Sequence, residues 1–178
     1  MSRFGVTNRN RRGADLLGQK WFRALIVCAL MSMTVLVPAA QARLSRAERS
    51  VVTRVNRLRA DRGLHALRAN RRLSRAAEAH NRDMLHADFF AHESSNGTST
   101  YDRIQHYRHS NLIGETLAYM PTAGDASARS IVRMWVKSPG HLAVLTTGRF
   151  RRIGVAKRRG TLFGKRVTVW TADLASRR

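Results

Sequence analysis

The hydrophobic period of the chain changes once along its length, and that change most constrains the fold. Through Trp135 the apolar residues recur at helical spacing, and from Ile153 onward they alternate. Ser45-Arg46-Ala47-Glu48 is a capping box, followed by Val51, Val52, Val55 and Leu58 on one stripe, with Gly63 as the stop. Asn70 can cap a second helix whose Leu73, Ala76, Ala77, His80 and Met84 share a face. In that position His80 reads as a buried, hydrogen-bonded residue. Ser99 or Thr100 can open a short helix, and Asp125 one carrying Ala128, Ile131, Val132 and Trp135. Ser138-Pro139-Gly140 stops it, because proline disfavours helix at the residue before it. Leu112 to Tyr119 fits a strand or a tight loop. Ile153 and Val155, then Val167 and Val169, mark two alternating strands, with Arg158-Arg159-Gly160 as the turn between them. Helices first and strands last, in one short chain, predict an α+β layered domain with an antiparallel pair near the C-terminus.

Residues 1–42 are set apart from that domain. Their first half is rich in arginine, an apolar run follows from Ala24 to Val37, and Ala40-Gln41-Ala42 fits a small-x-small cleavage rule. Those features describe a secretory signal peptide, and the run falls short of the roughly 20 residues a spanning helix needs. The expected division is therefore 1–42 as signal peptide and 43–178 as a single domain with no transmembrane helix after cleavage. The one cysteine, Cys28, lies inside the apolar run. The mature chain must then hold together in an oxidising compartment, periplasmic or extracellular, without a disulfide and by its core alone.

The whole chain carries 33 Lys and Arg against 11 Asp and Glu, a formal net charge of +22. Such a field attracts anions, so anionic cell-envelope components are the expected partners. The charges are spread between apolar residues, and no nucleic-acid motif accompanies them. Dedicated nucleic-acid binding is therefore not expected.

Three short pieces carry the chemistry: Phe90-Ala91-His92, Gly114-Glu115-Thr116 and Ser138-Pro139-Gly140-His141. Each stands beside a turn or break signal. Two imidazoles and a carboxylate are a minimal set for a divalent metal with an open position, and also for acid–base work. A hydrogen-bonded network that pins loops together would use the same three residues. No serine in a nucleophile context and no cysteine supports covalent catalysis.

Together these pieces resemble the CAP superfamily of cysteine-rich secretory proteins, antigen 5 and pathogenesis-related 1 proteins, from about Val51 to Leu174. Asn56-Arg57-Leu58-Arg59, Asp102-Arg103-Ile104, Trp135-Val136-Lys137-Ser138-Pro139-Gly140-His141, Phe150 and Ile153-Gly154-Val155 add to the likeness. The resemblance implies a three-layer α-β-α sandwich, an antiparallel sheet, and a cleft that can hold a divalent cation, zinc above all. It places His92, Glu115 and His141 there as metal ligands. The family's second glutamate has no counterpart, since Lys137-Ser138 stands in its place, and Thr116 replaces the usual asparagine. The expected function is an exported binding module whose cleft takes a divalent metal, a small lipid or a peptide. A metal-dependent hydrolase with Glu115 as candidate catalytic base is the alternative. A structural or interaction protein with a vestigial cleft is the second.

Overall fold

The structure is a computed structural model, and residues 44–177 are described. The signal-peptide and cleavage expectations on residues 1–42 lie outside the described residues. The elements are α1 (Arg46–Ala60), β1 (Arg68–Ala69), α2 (Arg71–His86), α3 (Thr100–Tyr107), β2 (Ile113–Pro121), α4 (Ala128–Lys137), α5 (Pro139–Thr146), β3 (Arg152–Leu162) and β4 (Lys165–Ala175). None of the described helices is long and apolar enough to cross a membrane.

Local chemistry sets most of these boundaries. The Ser45 hydroxyl accepts from Glu48 N–H while the Glu48 carboxylate accepts from Ser45 N–H, so the expected capping box closes in both directions. Asn70 caps α2 by accepting from Arg72 and Leu73 N–H, and Ser99 caps α3. Ser127 caps α4 where Asp125 was expected. Asp125 lies two residues outside, accepting from Ser127 N–H and bonding Ser130. Pro139 ends α4 and at once opens α5 at its first position, where its missing N–H costs nothing. His141 thus sits in the first turn of a helix.

The strands form one sheet in the order β1-β3-β4-β2. β3 pairs antiparallel with β4, and β4 with β2. β1, however, pairs parallel with β3, so the sheet is mixed and the purely antiparallel expectation is corrected. The reason is topological. β1 is two residues between α1 and α2, and α2 carries the chain on before β3 is reached, a crossover that permits parallel pairing. The β3–β4 turn is also later than Arg158-Arg159-Gly160 suggested. β3 runs through to Leu162, which pairs with Lys165, and the turn is Phe163-Gly164. Both turn residues have positive φ, 51° and 72°, which matches the twist of a two-residue hairpin. Asp88 supports it by accepting from Phe163 N–H at 2.5 Å.

Helices cover both faces of the sheet. On one face, Val51 and Val55 of α1, Ile131, Val132 and Trp135 of α4 and Leu145 of α5 pack against Ile153, Val155, Trp170, Ala172 and Leu174. On the other, Met84 of α2 packs with Leu117, Val167 and Val169, while Leu73 and Ala76 pack with Ile104 of α3 and Ala175. The alternation along β4 sends its even-numbered residues to the first face and its odd-numbered residues to the second. Gly154 lets α2 lie directly on β3, for a Cβ there would stand 2.2 Å from the Leu73 and Ser74 backbone.

Candidate functional site

Glu115 lies near the start of β2, on the face covered by α2 and α3. Its neighbour Gly114 points the other way, against Phe150 and Val144, where a Cβ would come within 2.8 Å of the Phe150 ring. Glycine is needed there for close packing, and the strand's alternation then turns the next side chain inward to the polar side. Glu115 is 6% exposed.

Both carboxylate oxygens have partners. His92 Nδ1–H donates to Oε1 at 2.8 Å, and Arg103 Nη2–H donates to Oε2 at 2.5 Å. Arg103 comes from α3 and is almost fully buried. Its other terminal nitrogen donates to the His92 carbonyl at 2.9 Å and to Ser94 Oγ at 3.1 Å. The Thr100 hydroxyl donates to the same His92 carbonyl at 2.8 Å. His80, fully buried on α2 as expected, donates from Nε2 to the Ala91 carbonyl at 2.9 Å. The loop that carries His92 is therefore held from two helices and one strand. His92 itself remains 56% exposed at its side chain.

Beneath this pair lies a second acid that the sequence motifs did not single out. Asp173 of β4 is the register partner of Glu115 and is fully buried. No protein donor reaches either of its oxygens. Burial first, and then the neighbouring Glu115 charge, push its carboxyl well above the usual range. For Glu115, burial opposes ionisation, but the bond from His92 and the charges of Arg103 and His80 prevail and hold it below the ordinary range. The two carboxyls are pushed in opposite directions because Glu115 receives N–H groups from His92 and Arg103 and Asp173 receives none.

His141, half-buried on α5, is lowered mainly by burial and next by the charge of His92. The structure therefore joins His92 and Glu115 by a direct hydrogen bond and brings His141 within electrostatic reach of His92. Arg103 and Asp173 are the partners missed. Arg103 lies within the Asp102-Arg103-Ile104 piece, and its position one turn into a capped helix was the signal that it faces inward. Asp173 gave a stronger one, as a lone acid in an otherwise apolar strand end.

Among the described residues, no group of three or more His, Cys, Asp or Glu converges as a metal cage. Both oxygens of Glu115 are already engaged by protein donors. A divalent cation at this cleft would meet the imidazoles of His92 and His141 and otherwise solvent.

Comparison with known proteins agrees with the geometry. Residues 52–174 match the family described as CAP, Cysteine-rich secretory protein family. YkwD of Bacillus subtilis (strain 168) is 30% identical over 118 residues, which are 66% of this chain and 44% of that protein. The chain thus spans less than half the length of this relative. Among solved structures, an outer surface protein from Borrelia burgdorferi aligns with a TM-score of 0.64 at 20% identity, covering 77% of this chain and 97% of that one. An extracellular protein containing a SCP domain from Bacillus anthracis str. Ames aligns with a TM-score of 0.61 at 21% identity, covering 76% of this chain and 45% of that one. At such identities the structural likeness speaks for the fold alone. With the family match spanning most of the described residues, this chain belongs to the cysteine-rich secretory protein family, and its fold is the α+β CAP fold with five helices and a four-stranded mixed sheet among those residues.

Proposed function

We propose that this chain is an exported binding module, working at an anionic envelope surface, whose recognition groups are the imidazoles of His92 and His141. The observation that carries this reading is the His92 Nδ1 to Glu115 Oε1 bond. A carboxylate that takes one ring N–H fixes the tautomer and leaves the other nitrogen, Nε2, as a lone-pair donor on an exposed ring. Glu115 is then the orienting group behind the ligand, and His141, lowered toward its neutral form, is the second donor. Two imidazoles suit a labile divalent cation, zinc first, whose remaining positions are open to a carboxylate or phosphate on a small lipid or a peptide. Export is supported by the composition of residues 1–42 and by the absence of cysteine from 43–178.

Calorimetric titration with zinc chloride tests the reading. The wild-type chain should take up one ion, and His92→Ala and His141→Ala should each abolish uptake. Glu115→Gln should weaken it about 10- to 100-fold, as loss of an outer partner does. Unchanged binding in the double histidine variant would overturn the assignment.

A further inference from the structure

A second cleft, of about 500 Å³, lies at the β1 edge of the sheet, across from the β2 edge that carries Glu115, and is lined by His65, Arg68, Arg151, Arg152 and Arg177. No acid lines it. The β1–β3 register sets Arg68 directly opposite Arg152. The Arg151 amide donates to the Ala175 carbonyl at 2.9 Å, which brings the end of β4, and Arg177 after it, to the same edge. Four guanidinium groups thus meet through pairings distant in sequence. None of them is among the ion pairs of the described residues. Like charges directly opposite on neighbouring strands destabilise a sheet. A shared anion would turn that repulsion into attraction.

The cleft is also rigid. Arg59, fully buried at the end of α1, donates to the carbonyls of His65 at 2.9 Å, Leu145 at 2.7 Å, Thr147 at 3.1 Å and Phe150 at 3.4 Å. Those carbonyls belong to the two segments that flank the cleft. Arg151 is held in turn by the Gly148 carbonyl and by the Phe150 carbonyl at 2.9 Å. An arginine fork matches two oxygens of a phosphate, and several forks around one cleft favour a multiply charged phosphate over a single carboxylate.

We propose that this arginine cleft is a phosphate-binding site that takes a pyrophosphate, polyphosphate or phosphodiester group, separate from the His92 cleft. The proposal gives a place to the envelope attachment of the proposed function and rests on that reading only for its setting. The phosphate can belong to a lipid headgroup or to a soluble or polymeric phosphate.

The test uses residues 43–178, metal-free, with inorganic tripolyphosphate and with phosphatidylglycerol vesicles as separate probes. Arg68→Ala/Arg152→Ala is compared with Arg54→Ala/Arg129→Ala, which removes the same charge from the groove between α1 and α4. Wild type should bind tripolyphosphate saturably. The first variant should lose about tenfold or more, as loss of charge-assisted bonds implies, and the second less than about threefold. Vesicle binding lost with tripolyphosphate binding would point to a lipid headgroup, and vesicle binding retained would point to a soluble or polymeric phosphate. Equal losses in the two variants, or no saturable binding, would overturn the site. His92→Ala/His141→Ala should leave tripolyphosphate binding intact, so failure of the histidine site is read separately.

Discussion

Glu115 and Asp173 stand opposite each other on β2 and β4, both buried, with the carboxyl of Glu115 held below its ordinary range and that of Asp173 pushed above it. The difference follows from their partners. Glu115 receives N–H groups from His92 and Arg103, whereas Asp173 receives none within the protein. This arrangement makes the floor of the His92 cleft sensitive to substitution and to pH.

Removing the charge of Glu115 leaves Arg103 buried without a counterion. Glu115→Gln should destabilise the domain by about 3–5 kcal/mol, the usual cost of breaking a buried pair from one side. Urea unfolding measures it, and Arg103→Met in the Glu115→Gln background should recover part of the loss. A cost below about 1 kcal/mol for the single change would contradict a buried ion pair.

The two acids respond to pH in opposite senses. Glu115 is lowered below 4.5, so the stability it contributes is full above that value and is lost as pH falls through its folded value. Asp173 is raised above 3.8, so its contribution is full below 3.8 and is lost as pH rises through its folded value. Asp173→Asn removes the second dependence. At neutral pH it should be more stable than wild type, with no gain below pH 3.8. Melting temperatures across that range would show it, and a gain independent of pH would refute the upward shift of the Asp173 carboxyl.

Close approach of α2 to β3 depends on the missing side chain at Gly154. Gly154→Ala should cost about 3 kcal/mol or prevent folding, because the new Cβ meets backbone that cannot yield. Gly160→Ala is the comparison, since its Cβ would meet only the Leu85 side chain at 2.9 Å. Thermal melts of the pair should differ clearly, and equal effects would sink the packing argument.

Arg59 should not tolerate lysine. Its guanidinium serves carbonyls of two separate segments at once, a geometry that an ammonium cannot span. Arg59→Lys should destabilise by about 2–3 kcal/mol through carbonyls left unpaired, and amide hydrogen exchange should rise around residues 65 and 145–150. Unchanged protection there would argue against the role.

Much of this domain was legible in the chain itself. The caps Ser45 and Asn70, the apolar stripes of α1, α2 and α4 and the alternation of β3 and β4 are local properties, readable because side-chain spacing mirrors backbone period. The three site pieces were also marked in the sequence, since a glycine packed under Phe150 and a proline that opens α5 leave signs in composition. The hairpin turn was not read correctly, because arginines and Gly160 imitate a turn that Phe163-Gly164 makes through backbone twist. The parallel seat of β1 was hidden too, for two residues carry no periodicity.

What the sequence determined by itself is the helices with their caps, the C-terminal strand pair, the core stripes, the family and the identity of the two imidazoles and Glu115; the strands β1 and β2 stand among the helices instead of after them. Only the tertiary structure decided what Glu115 does, because its partners Arg103 and Asp173 arrive through helix docking and strand register. The meeting of Arg68, Arg151, Arg152 and Arg177 at one edge is of the same kind. Charge and spacing are properties of the chain. Which charges share low-dielectric surroundings depends on contacts between distant segments, and those exist only once the sheet has formed.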